Sequence, residues 1–142
     1  MNSLCLSLVA LTLAALPLQA EQTRPEKLAE SAAAEWLQLV DQGKAAESWQ
    51  TLAPASRQQI SHLKWRFGFA LAARKFGSLS ARKLRSAQAS DKSPGGRAGE
   101  FVLLEYDSTS PKMGPVVEKL TVMHDTDGQW RVAGYTAVKP GT

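Results

Sequence analysis

The sequence predicts an α+β fold, three N-terminal helices packed on a curved four-stranded antiparallel sheet. Two changes along the chain carry that prediction. From Thr23 to about Phe76 apolar residues recur every three to four positions, the spacing of helices buried on one side. From Leu79 onward the apolar period falls to two, in four runs, as in strands with one wet face. Helices followed by strands, with no alternation between them, place the helices on one face of an antiparallel sheet.

Residues 1–20, MNSLCLSLVALTLAALPLQA, hold an apolar run from Leu4 to Leu16, then Pro17, then a small residue at Ala20. This pattern reads as a secretory signal cut after Ala20, with a periplasmic product. The run is too short to span a bilayer, although the segment ahead of it lacks Lys and Arg. The only cysteine, Cys5, lies inside this segment and too early for lipid attachment. Residues 21–142 are therefore expected to form a single α+β domain held by its core alone, with no disulfide and no redox chemistry.

Thr23-Arg24-Pro25-Glu26 fits a capping box that opens the first helix. Its stripe runs Leu28, Ala32, Trp36, Val40, with Ala29, Ala33 and Leu37 beside it, and Gly43 supplies the stop. Lys44 to Ala53 reads as a short second helix with Ala45, Trp49 and Leu52 inward, ended by Pro54. From Ser56 to Phe76 the third helix carries two stripes, Ile60-Leu63-Phe67-Leu71 and Trp65-Phe69-Ala72-Phe76. A helix apolar on two sides is expected between a sheet and another helix. The strands are read as Leu79–Ala89, Phe101–Asp107, Val116–His124 and Gln129–Val138, separated by the Pro-, Gly- and Ser-rich loops Ser90–Gly99 and Ser108–Gly114.

In the last hairpin, loop parity decides which side chains share a face. An odd loop, Thr126-Asp127-Gly128, with Gly128 at positive φ, gathers Leu120, Val122, Trp130 and Val132 on one face. It leaves Thr121, Met123, Arg131, Ala133 and Tyr135 on the other, so Arg131 and Tyr135 are expected to point together. An even loop sorts neither face.

The formal charge of +4 is unevenly spread. Glu21 to Ser56 carries six acids and three bases, whereas Arg57 to Ser90 carries eight bases and no acid. Arg74, Lys75, Arg82, Lys83 and Arg85 form a candidate basic patch for anionic envelope material or an acidic partner. The same charges also fit a solvated helix face and a guarded edge strand, with Glu26, Glu30 and Glu35 of the first helix as counter-ions. Nucleic acid is not expected as a partner, since no RNA-binding signature with interleaved aromatics is present.

Chemistry-bearing motifs are sparse. Two histidines, His62 and His124, without cysteine do not make a zinc site, so no metal and no cofactor are expected. There is no G-x-S-x-G, and SPGGRAG lacks the spacing of a phosphate loop. Proton transfer needs only one carboxylate and one donor in an apolar pocket. Glu105, Tyr106, Glu118 and Tyr135 lie on strands that could face such a pocket. Candidate ligand-binding residues are Arg131, Tyr135, Tyr106 and Trp65.

The stretches AAAEWLQLVDQGKAAESWQTLAP, LKWRFGFALAARKFGSLSARKLRSA, GEFVLLEYDS and VEKLTVMHDTDGQWRVAGY together resemble the bacterial family called domain of unknown function 4019, small and usually exported proteins. The resemblance covers about Ala32 to Tyr135 and implies no activity and no site residues. The order of elements also resembles the nuclear-transport-factor-2-like and ketosteroid-isomerase-like, or cystatin-like, α+β cone, although that cone places a strand before its third helix. The expected function is noncatalytic binding of a small apolar ligand or a cell-envelope partner. The alternatives are a small acid–base enzyme of the ketosteroid-isomerase-like type, or a scaffold or dimerisation module.

Overall fold

A computed structural model of the chain describes residues 16–142. Residues 1–15, most of the expected signal, lie outside the described residues, and the expected cut after Ala20 falls within a short helix, α1 (Leu16–Gln22). Four further helices follow: α2 (Pro25–Asp41), α3 (Ala45–Gln50), α4 (Pro54–Gln59) and α5 (His62–Phe76). Then come β1 (Ser80–Lys92), β2 (Ala98–Ser110), β3 (Gly114–His124) and β4 (Trp130–Val138), one antiparallel sheet in the order β1-β2-β3-β4. The α+β class and the four-stranded sheet are as expected; the helices number five among the described residues instead of three.

The expected capping box does not form. Thr23 Oγ1 donates to the carbonyls of Gln19 and Ala20, at 3.2 and 3.1 Å, and so closes α1. Arg24 is the N-cap of α2 without a side-chain bond, and Pro25 takes the first position, where a missing N–H costs nothing. At the other end Gly43 stops α2 as expected, with Lys44 N reaching back to Leu39 O at 2.9 Å.

The expected third helix is broken. Pro54 both ends the α3 segment and opens α4. Ile60 is extended, with φ −126 and ψ 119, and its carbonyl accepts the Trp49 indole N–H at 2.9 Å. Ser61 then caps α5 by accepting from Lys64 N at 3.3 Å. A tryptophan from α3 has taken the carbonyl that a continuous helix would have used.

One face of the sheet carries the core. Val102, Leu104 and Tyr106 of β2, with Leu120 and Val122 of β3 and Val132 of β4, pack against Ala29, Ala33, Trp36 and Leu37 of α2. Leu28, expected in that stripe, is exposed. The double burial expected of α5 is also not observed: Trp65 packs inward, while Leu63 and Phe67 are 76% and 68% exposed. Among the described residues no element covers that outer side of α5.

Two departures from regular pairing set the site. In the last hairpin Asp125 N bonds Gln129 O at 2.8 Å, leaving the three-residue loop Thr126-Asp127-Gly128 with Gly128 at φ +81. Val122 pairs with Val132 as parity predicts. The register then shifts, Thr121 facing Gly134 and Leu120 facing Tyr135, so Ala133 is an extra residue. Tyr135 is thereby carried to the core side with Leu120 and away from the side of Arg131. The bulged backbone is held by the start of α4: Ala53 N, at its N-cap, donates to Val132 O and Ser56 Oγ to Ala133 O, each at 2.8 Å.

The second departure is in β1, where Ser80 pairs with Thr109 and Lys83 with Asp107. Ala81 and Arg82 therefore stand opposite Ser108 alone, and Ala81 sits at φ +52. A non-glycine residue there costs about 1–2 kcal/mol. Ala81→Gly is expected to raise stability by up to about 1 kcal/mol, the relief of strain less glycine's added chain entropy. Gly128→Val is expected to lower it by about 1–2 kcal/mol. Denaturant midpoints at constant slope measure both.

Candidate functional site

The inward face of β3 reads Val116, Glu118, Leu120, Val122, and the carboxylate in that apolar row has 0% exposure. An ionised side chain taken out of water must be paired and hydrogen-bonded to persist there. Glu118 Oε1 accepts from Arg82 Nε at 2.8 Å and from Ser108 Oγ at 2.5 Å. Its Oε2 accepts from Tyr135 OH at 2.7 Å and from Arg82 Nη2 at 3.1 Å. Each oxygen thus has two donors.

Arg82 is a bridge. Its Nη1 and Nη2 also donate to the two carboxylate oxygens of Asp41, the last residue of α2, at 2.8 and 2.9 Å. The β1 bulge aims Arg82 at Glu118, and the β4 bulge aims Tyr135 at it from the other side. Burial works against the Arg82 cation, but the bonds to Asp41 and Glu118 outweigh it and raise its pKa. Burial first, then the charge of Glu118, pushes the Tyr135 hydroxyl far above its usual value. Tyr135 is therefore a fixed donor across the physiological range. Tyr106, the neighbour of Glu118 across the β2–β3 ladder, is pushed up to about 12, by burial and then by Glu30.

Beyond this network lies a cavity of about 530 Å³ between α5, the end of α2 and the sheet. Trp65, Phe69, Ala72 and Phe76 of α5 line one side. Trp36 and Val40 of α2, with Leu79 and Ala137, line the other; Asp41, Arg82 and Tyr135 make a polar end. The two indoles are fixed by Ser48, whose carbonyl accepts Trp36 Nε1 at 2.9 Å and whose hydroxyl accepts Trp65 Nε1 at 3.0 Å. Trp36 meets the Trp65 ring edge-on at 6.0 Å and the Tyr135 ring at 5.3 Å. With both indole N–H groups satisfied elsewhere, the ring surfaces present apolar area to the cavity.

The residues singled out from sequence divide. Trp65 and Tyr135 line the cavity; Tyr106 is buried in the core beside Glu118. Arg131 is at the hairpin tip, bonded to Asp125 at 3.0 Å and to Asp127 at 2.8 and 2.7 Å, so the expected pairing with Tyr135 is overturned by the Ala133 bulge. Glu105 faces away from the core, 3.9 Å from Lys119. Arg74, Lys75, Arg82, Lys83 and Arg85 do not share one surface. Arg82 turns inward, Lys83 and Arg85 lie with Asp107 on the opposite sheet face, and Arg74 and Lys75 are at the end of α5. The counter-ion of Arg82 on α2 is Asp41, which the sequence reading missed, whereas Glu30 pairs with Lys27. Asp41 two residues before the helix-ending Gly43 was the signal available, but its partner depends on a bulge 40 residues away.

Among the described residues no group of three His, Cys, Asp or Glu could hold a metal, and no helix is long and apolar enough to cross a membrane.

Residues 32–135 match the family described as Protein of unknown function, DUF4019. The chain belongs to this family. No curated protein matches it. The DUF4019 match spans Asp41, Arg82, Ser108, Glu118 and Tyr135, and so takes in the whole buried network.

Glu118→Leu is expected to destabilise the protein by about 3 kcal/mol, because Arg82 is left partly buried with half its partners. The double variant Glu118→Leu/Arg82→Met should recover the part of that loss owed to Arg82, while the Ser108 and Tyr135 hydroxyls stay without their acceptor in both variants. Denaturant unfolding of both variants checks this. A separate acid-side effect belongs to Asp127, whose carboxyl the Arg131 hydrogen bond holds down at about 2. A depressed carboxyl adds stability above its unfolded value of about 3.9, and loses it as pH falls from there through about 2. Arg131→Ala is expected to flatten the decline of stability in that window, measured by thermal unfolding at stepped pH.

Proposed function

We propose that the chain is a noncatalytic binding protein that takes a small apolar ligand between α5 and the sheet. The cavity carries this reading: its volume of about 530 Å³ falls in the range of small-molecule sites, and aromatic walls with a few polar groups at one end are their usual lining. Apolar area removed from water on binding would supply the affinity, at about 25 cal/mol per Å².

The acid–base alternative fits the geometry less well. A general base needs a free lone pair within reach of substrate, and both oxygens of Glu118 already accept two bonds each. Arg82 and Tyr135 line the cavity and Glu118 lies behind them. The carboxylate works as an anchor for the wall.

Export to the periplasm is part of the proposal and rests on the pattern of residues 1–20. The N-terminal sequence of the protein recovered from the periplasm should begin at Glu21; recovery only of chain beginning at Met1, in the cytoplasm, would remove it.

Binding is tested with an uncharged fluorescent probe such as N-phenyl-1-naphthylamine. Saturable binding with quenching of tryptophan emission is expected. Ala72→Phe, which fills the cavity from α5, should weaken it by about tenfold or more, equivalent to about 1.4 kcal/mol, with the thermal midpoint retained. Ser substitution of exposed Leu63 should leave it unchanged. Non-saturable uptake, or equal affinity in a folded Ala72→Phe variant, would sink the proposal.

A further inference from the structure

The outer side of α5 has no partner among the described residues, yet it is apolar. Leu63, Phe67 and Leu71 are 76%, 68% and 49% exposed, and their spacing of four places them in one row along the helix. Such a row on an otherwise folded helix marks an interaction surface.

Charge identifies what fits it. The sequence HLKWRFGFALAARKF of α5 contains Lys64, Arg66, Arg74 and Lys75 and no acid. All four are exposed, and none forms an ion pair among the described residues. At 3.6 residues per turn, Lys64 and Lys75 fall on one margin of the apolar row and Arg66 on the other, with Arg74 at its C-terminal end. Lys112 adds a further base there, its Nζ donating to Arg74 O at 2.8 Å. An apolar row flanked on both margins by unpaired bases is the pattern of a helix that lies in the headgroup plane of an anionic bilayer.

A second copy of the chain is a poorer match. Pairing two α5 rows would bring the bases of one helix beside those of the other, with no acid on the helix to offset them.

We propose that the outer face of α5 docks on an anionic phospholipid surface, with Leu63, Phe67 and Leu71 seated at the headgroup boundary and Lys64, Arg66, Arg74 and Lys75 among the phosphates. The helix would lie flat, since its opposite side is committed to the protein through Trp65 and Phe76. The inference stands on exposed side chains and does not require the cavity to hold a ligand.

The test is flotation of the chain, as isolated from cells, with vesicles of phosphatidylcholine alone and of phosphatidylcholine mixed with phosphatidylglycerol. Two variants are compared with the parent in the same chain background, Leu63→Ser/Phe67→Ser and Arg66→Glu/Arg74→Glu; both change exposed positions, and unchanged thermal midpoints confirm that they fold. The parent should float with the anionic vesicles, weakly or not at all with phosphatidylcholine, and less as salt screens the bases. Each base at an anionic surface strengthens partition by about fivefold, so loss of two should weaken it by roughly 25-fold or more. The proposal is overturned by equal flotation on both vesicle types, by either variant floating like the parent, or by a dimer that Leu63→Ser/Phe67→Ser dissociates while vesicle binding persists. That last outcome would assign the row to self-association.

Discussion

A carboxylate with no access to water sits on the helix side of the central strand β3, and the arrangement around it follows from the need to compensate Glu118. An unpaired charge in that position would cost several kcal/mol even after relaxation. Its donors come from different strands: Arg82 from β1, Ser108 from β2 and Tyr135 from β4. Arg82 then carries the network on to Asp41 at the end of α2. Satisfying one charge therefore fixes all four strands and the longest helix relative to one another. A purely apolar residue would fill the position at less electrostatic risk, but it would not select one register for β1 and β4.

That selection is visible in the backbone. β1 and β4 are the two edge strands, and each departs from regular pairing where it delivers a side chain to Glu118. Ala81 holds a left-handed conformation to turn Arg82 inward, and Ala133 is bulged out ahead of Tyr135. The carbonyls around the β4 bulge are taken up by Ala53 N and Ser56 Oγ. The β4 bulge is thus satisfied from the helical layer, and the helical segment is in turn docked by the strand.

α5 is held at its ends and spans the cavity between them. At the N-terminal end the Trp49 indole takes the Ile60 carbonyl and Ser48 accepts from Trp65. At the C-terminal end Ser110 Oγ donates to Phe76 O at 2.5 Å, and Gly77 passes so close to Pro111 that a Cβ there would lie 2.9 Å from Pro111 Cγ. Between these clamps the helix has aromatic residues toward the cavity and Leu63, Phe67 and Leu71 toward solvent. Both stripes read from its sequence are present apart from Ile60, which lies outside the helix, but only one is covered by the rest of the described protein.

The sequence by itself determined the α+β order, the four strands and much of their pairing. The change of period after Gly77 is local information, and so is the three-residue loop closed by Gly128, which correctly set Val122 opposite Val132. Even the inward position of Glu118 follows from alternation with Val116, Leu120 and Val122. What only the tertiary structure decided was where alternation stops applying. Parity holds along an unbroken ladder, and a bulge resets it. The bulges at Ala81 and Ala133 involve groups distant in sequence, Glu118 in one case and Ser56 in the other. For the same reason the break at Ile60 depends on the Trp49 indole. Arg82 and Tyr135, the two residues that join the buried charge to the cavity, are the residues whose direction no local pattern could give.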